Sequence, residues 1–197
     1  MSTTFFFLHS PAMLAKIMKP AHRRRHEFPF IWPAPPFNIA LVEPEIPPNT
    51  GNIARLCAAT GTALHLVGPT GFRLNNPALR RAGLDYWAAV DLHQHAALGE
   101  FMQEISDKQF YLFSTSGKAA YTSVSYRPGD YLVFGNESRG LPDDLLAAYP
   151  GKVIGIPIQT AHVRSLNLAT AAAIVLYEAL RQTQFTGGPS SSGTPAV

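Results

Sequence analysis

Four stretches of the chain gather side chains able to bind and react. Arg164, Ser165 and Asn167 set a cation, a hydroxyl and an amide directly before the apolar run Leu168 to Leu180. That run reads as a helix, and a helix N-terminus, with free N–H groups and the positive dipole end, gathers polar ligands. Ser165 or Asn167 equally suits the plain role of N-cap. Asn49, Thr50, Gly51 and Asn52 form a polar loop at a second helix entrance, with Arg55 expected one turn in and pointing back toward it. Asn and Gly are ordinary turn residues, but Arg55 is not explained by turn chemistry. GNESRG, Gly135 to Gly140, brings Glu137 and Arg139 into a glycine-bounded loop. In the fourth stretch Arg80 and Arg81 are interleaved with Tyr86 and Trp87. Such a segment holds phosphates and stacks bases, or is a solvated helix end packed by its aromatics.

Several common chemistries are excluded by the same residues. No G-x-G-x-x-G follows the first strand, and Leu141-Pro142 stands where a P-loop needs its lysine and hydroxyl. There is no G-x-S-x-G elbow for a serine nucleophile. His93 and His95 lack cysteines or carboxylates at metal-ligand spacing, so no metal site is expected.

The elements that must position these side chains alternate between strand and helix. Phe37 to Val42 and Ala63 to Val67 are short buried strands flanking the helix that carries Arg55, with Gly61 as its C-cap. Phe110 to Ser114, Tyr131 to Phe134 and Val153 to Ile156 are read as the third, fourth and fifth strands, and Ala96 to Ile105 as an amphipathic helix. The alternation predicts a parallel α/β sheet. The last three strands end in Ser114-Thr115-Ser116-Gly117, in GNESRGLP, and in the turn before Leu168. Ligands of open α/β sheets sit beyond the carboxyl ends of strands, so these three loops are the candidate pocket. The helix from Leu168 to Leu180 is apolar on nearly every side, and a helix apolar all round is buried all round. Its own sheet covers one side; a second subunit is expected on the other.

With 197 residues, 46% of them hydrophobic, the chain suffices for one well-buried domain. Residues 1–36 carry six prolines and no sustained period and are expected to be poorly ordered, residues 37–182 form the domain, and 183–197 are a flexible tail. The net charge of +3 resides in that first segment, which holds Lys16, Lys19, Arg23, Arg24 and Arg25 against Glu27 alone. The remainder has one more acid than base, so nucleic-acid binding must come from local clusters. Cys57 is the only cysteine and falls on an apolar helix face, which suits a reduced core thiol in a cytoplasmic protein. No apolar run reaches the length of a membrane span.

Three segments together carry a resemblance: PPNTGNIAR (Pro47 to Arg55), FGNESRGLP (Phe134 to Pro142) and IPIQTAHVRSLNLATA (Ile156 to Ala171). They resemble the three motifs of the SPOUT-class RNA 2′-O-ribose methyltransferases. EPEIPPNTGNIARLCAATG and RRAGLDYW are similar to the small TrmL (YibK)-like subfamily, which methylates the wobble nucleotide of tRNA. The resemblance covers about Phe37 to Gln182. It implies a mostly parallel α/β sheet ending in a deep trefoil knot, a homodimer, and S-adenosylmethionine bound bent in the knot's loops. By motif position Phe113, Gly135, Ile156, Ser165 and Leu166 would contact that cofactor. Arg55 would lie beside the reacting ribose, with Asn49, Glu137 and Asn167 as the other polar residues of the site, and Tyr177 would lie near the dimer interface. The substrate implied is cytidine or uridine 34 in the anticodon stem-loop of tRNA, with tRNA-Leu isoacceptors expected. Arg80, Arg81, Tyr86, Trp87, Arg139 and Arg164 are the expected RNA contacts. Ala169-Thr170 departs from the family's usual Ser-Asn. The rival reading is an RNA-binding dimer that keeps the fold without the chemistry.

Overall fold

The computed structural model describes residues 30–72, 87–159 and 162–184. Strands β1 (Asn38–Val42) and β2 (Ala63–Val67) are apolar without alternation. Burial on both faces of a parallel sheet demands that pattern. Between them runs α1 (Pro47–Thr60), closed by Gly61 in the left-handed conformation at φ 69°. The helix begins earlier than the sequence suggests, so Arg55 stands in its third turn and not its first. Pro47 and Pro48 occupy the first helical positions, where a missing N–H costs nothing and φ is already set. Asn49 to Gly51 are buried inside the helix in place of an exposed loop.

The chain continues through β3 (Leu92–His95), α2 (Leu98–Glu104), β4 (Phe110–Phe113), β5 (Ala119–Ala120) and β6 (Tyr131–Phe134). It ends in α3 (Asp143–Ala148), a single 3-10 turn (Pro150–Lys152), β7 (Val153–Gly155) and α4 (Leu168–Gln184). All seven strands form one sheet in the order β3-β2-β1-β6-β4-β7-β5, every pair parallel. The strands expected as third, fourth and fifth are therefore β4, β6 and β7. β3, with the sequence LHQH, has no apolar alternation because it is a half-exposed edge strand, and β5 is only two residues long.

Alternate positions on the strands face opposite layers. Ala40, Val42, Leu112 and Val133 pack with Phe101 and Ile105 and with Leu141 and Leu145, at and near α2 and α3. On the other side α1 and α4 pack against each other, and α4 against β6. β7 enters between β4 and β5: the Ile154 carbonyl accepts from Ser114 N at 3.0 Å and the Gly155 carbonyl from Tyr121 N at 2.9 Å. A Cβ at Gly117 would overlap the backbone of Ile154 and Gly155, so the loop after β4 lies directly on β7. Gln182 pins the end of α4 to the loop between β5 and β6, accepting from Tyr126 N at 3.0 Å and donating to Val124 O at 3.1 Å. No described helix is long and apolar enough to cross a membrane.

Candidate active site

The carboxyl ends of β4, β6 and β7 and the start of α4 enclose a cavity of about 600 Å³. Its size falls within the range of small-molecule sites. Phe113 and Phe134, at the ends of neighbouring strands, stack within it at 4.8 Å and 15°. Ile154, Ile156 and Leu166 add apolar wall, and Ser114, Thr115 and Ser116 add hydroxyls. Gly135 stands where no side chain fits, since a Cβ would overlap the Gly140–Leu141 peptide. The close approach makes that segment a smooth backbone surface. All five residues expected around a cofactor, Phe113, Gly135, Ile156, Ser165 and Leu166, line this one cavity.

Asn49, Glu137 and Asn167, which are far apart in sequence, form one hydrogen-bonded chain at its edge. Glu137 Oε1 accepts from Asn49 Nδ2 at 3.0 Å, and Asn49 Oδ1 accepts from Asn167 Nδ2 at 2.8 Å. Asn167 Oδ1 then accepts from Ala169 N at 2.9 Å and Thr170 N at 3.3 Å. Asn167, and not Ser165, is thus the N-cap of α4. Glu137 also accepts from Glu45 N at 2.8 Å and Ile46 N at 3.2 Å. With three donors on its two oxygens, this carboxylate ties the β1–α1 turn to the β6–α3 turn.

Sequence reasoning missed what holds that joint: Asn136, Glu43 and Glu45. Asn136 is buried and donates to Glu43 O at 2.8 Å. Ser138 Oγ donates to Glu45, and Arg139 Nη2 pairs with Glu43 Oε2 at 3.1 Å. The Ser138 and Asn136 hydrogen bonds, with the Arg139 charge nearby, hold the Glu45 carboxyl below its usual range. Pro44 before Glu45, and Pro47 and Pro48 after Ile46, were the available sign of a fixed turn at Pro44 to Pro48.

Arg139 and Arg164 lie on the cavity wall. Arg55 does not; it is exposed in a shallow groove between α1 and α4 with Asn52, Ala169 and Thr170. Asn167 borders both the cavity and the groove. Trp87, half-buried ahead of β3, is not a cavity residue. Arg80, Arg81 and Tyr86 lie outside the described residues. Among the described residues no cluster of His, Cys, Asp or Glu is arranged to hold a metal. Among the described residues, the lining carboxylates are Glu137 and Asp143, and no histidine lines the cavity. The arrangement therefore suits binding a partly apolar ligand and orienting a polar one beside it more than classical acid–base work.

The family model of the SpoU rRNA Methylase family matches residues 36–177. A tRNA (cytidine(34)-2′-O)-methyltransferase of Escherichia coli K12 is 46% identical over 151 residues, 76% of this chain and 96% of that one. A solved structure concerned with the 2-OH methylation of C/U34 on tRNA shares 46% identity at a TM-score of 0.71, covering 77% of this chain and 97% of the other. An AdoMet-bound rRNA methyltransferase from Sinorhizobium meliloti shares 30% identity at a TM-score of 0.65, over 74% of this chain and 56% of its own. Ordered motifs, a parallel sheet with its cavity at the strand ends, and this breadth of match lead to one assignment: the chain belongs to the SpoU rRNA methylase family.

Proposed function

We propose that this protein methylates the ribose 2′-hydroxyl of the wobble nucleotide, cytidine or uridine 34, of tRNA, using S-adenosylmethionine. The observation that carries the proposal is the shared position of Asn167, between a cofactor-sized cavity and the groove that holds Arg55. The cavity residues fit the cofactor: the Phe113–Phe134 stack and the apolar strand ends suit an adenine, and the side-chain-free wall at Gly135 lets a ligand approach the backbone. When bound, the cofactor supplies an electrophilic methyl group on a sulfonium.

The chain's own residues would then do three things. Ile154, Ile156 and Leu166 exclude water on the cavity side, which strengthens every electrostatic interaction there. Asn167, fixed by Asn49 and by its cap, holds the entrance of α4 rigid so that a ribose seated above it meets the cavity in one orientation. Arg55 anchors the adjoining phosphate and polarises the hydroxyl that loses its proton. A guanidinium is a planar, delocalised cation with no lone pair free to take a proton, so Arg55 serves as an anchor and not as the base. Arg139 and Arg164, on the cavity wall, would meet the RNA backbone.

The same reading includes a homodimer and a knotted C-terminal region, in a cytoplasmic protein that meets tRNA there. Tyr177, 55% exposed on a helix that is mostly apolar from Leu168 to Leu180, supports the dimer, and β7 seated between β4 and β5 under the Gly117 loop supports the knot. The test is transfer of labelled methyl from S-adenosylmethionine to tRNA lacking its wobble methylation, followed by nucleoside analysis. A 2′-O-methylated cytidine or uridine at position 34 is expected. Cofactor binding without transfer would replace the proposal with an RNA-binding dimer that has no chemistry.

A further inference from the structure

The joint between the β1–α1 turn and the β6–α3 turn contains a strained residue and a buried amide that face each other. Glu43 has φ +48°, uncommon for any residue but glycine. In that conformation its carbonyl accepts from Asn136 Nδ2 at 2.8 Å. Asn136 is 6% exposed and uses its amide at both ends, because Oδ1 accepts from Ser138 N at 2.9 Å and from Arg139 N at 3.2 Å. Its backbone closes the same turn by exchanging hydrogen bonds with Gly140 at 3.1 and 2.8 Å.

We infer that Asn136 is a positioning residue for the proposed reaction: its amide locks the two turns together and so holds Glu137 and Asn49 at the cavity. Two of the other side-chain bridges across the joint are more exposed. The Arg139–Glu43 pair is 70% and 40% exposed, and such pairs contribute little. Ser138 and Glu45 meet at the surface as well. Glu137 accepts from Glu45 N and Ile46 N only while the two turns stay in register. Asn136, the residue before Glu137 at the same strand end, sets that register from the buried side. Its role calls for one donor and one twofold acceptor on a short arm. An ionised aspartate keeps the acceptor and loses the donor; alanine loses both.

The inference rests on the function proposed above, and its test separates the two. Asn136→Asp and Asn136→Ala are prepared in the full chain. In Asn136→Asp at pH 8, kcat for tRNA methylation falls about 10- to 100-fold while KM for S-adenosylmethionine stays within about threefold. The introduced carboxyl regains a donor when protonated, so its activity relative to the unaltered protein recovers as the pH falls toward about 5. Asn136→Ala shows no such recovery. Independently of turnover, hydrogen exchange at the Glu45 and Ile46 amides, which donate to Glu137, accelerates at least about tenfold in Asn136→Asp. Should the unaltered protein transfer no methyl, the proposed function fails while the exchange measurement still decides the role of Asn136. Unchanged exchange at those two amides, or a kcat within twofold of the unaltered protein at pH 8, overturns the inference. If Asn136→Ala does not fold, the aspartate variant alone decides.

Discussion

Asn167 does two jobs with one amide. Its oxygen caps α4 and its nitrogen holds Asn49, so the two can be separated by substitution. Asn167→Asp keeps the cap acceptor and loses the donor: melting temperature is expected within about 2 °C of the unaltered protein, with turnover reduced at least about tenfold. Asn167→Ala loses both, and a lost cap of about 1 kcal/mol lowers the melting temperature by about 2–4 °C in a chain of this size. Thermal melts beside steady-state rates check the pair. Arg55 poses a different question because it stands outside the cofactor cavity. Arg55→Lys keeps the charge and loses the planar fork, so a loss of at least about tenfold in kcat with unchanged cofactor affinity is expected. Full turnover with RNA binding intact would refute the bidentate anchor. The polar types of Asn49, Glu137 and Asn167 at these loop positions were visible in the sequence. Their mutual hydrogen bonds were not, because the three partners come from α1, the β6–α3 turn and the start of α4.

At the scale of elements, the edge of the sheet furthest from the cavity carries an unusual histidine cluster. Asn38 donates Nδ2 to Gly129 O at 3.0 Å, which leaves its Oδ1 to accept from His65 Nε2 at 3.2 Å. His65 Nδ1 is then the acceptor for His95 Nε2 at 3.0 Å, and the His93 ring stacks on His65 at 4.6 Å. Burial, then the neighbouring His93 and His95, pushes His65 down to about 3. Burial likewise lowers His95, against the opposing pull of Glu104. His65 is neutral when folded and takes up a proton below about pH 6.5 when unfolded. Stability is therefore full above that pH and falls as pH drops toward 3, by up to about 1.4 kcal/mol per pH unit for this group. Urea unfolding from pH 7 to 4 is expected to show that slope, reduced in His65→Gln. An unchanged slope in the variant would assign acid loss to other groups. β3 itself went unread in the sequence because LHQH is stabilised by its in-register pairing with β2 and by these ring contacts, not by an apolar pattern.

On the scale of the whole molecule, α4 carries a surface the chain itself does not cover. Leu168, Ala172, Val175, Leu176, Ala179 and Leu180 are buried by the chain itself, while Thr170, Tyr177 and Arg181 face outward. An exposed tyrosine between half-buried alanine and isoleucine fits an interface core better than open water. Sedimentation is expected to give twice the 21.4 kDa mass of the chain, and Tyr177→Glu is expected to shift the species toward monomer. A monomer at micromolar concentration in the unaltered protein would rule out the homodimer. Cys57 takes no part in this surface: it is buried in α1, and burial pushes its thiol up to about 12.

The sequence by itself determined the parallel α/β class, the strands β1, β2, β4, β6 and β7, the amphipathic and apolar helices, and the three loops that line the cavity. It did so because buried strands and helix faces leave local apolar patterns, and because glycine and polar turn residues mark strand ends. Only the tertiary structure decided that the Asn49 loop is the first turn of α1, that Asn167 is the cap, and that Arg55 lies in the groove outside the cavity. Those outcomes turn on pairings such as Glu137 with Glu45 and Ile46, more than ninety residues apart, and on β7 entering between β4 and β5. No local periodicity encodes a hydrogen bond across that distance. The partners are chosen by which backbone groups the sheet order brings together and leaves unsatisfied.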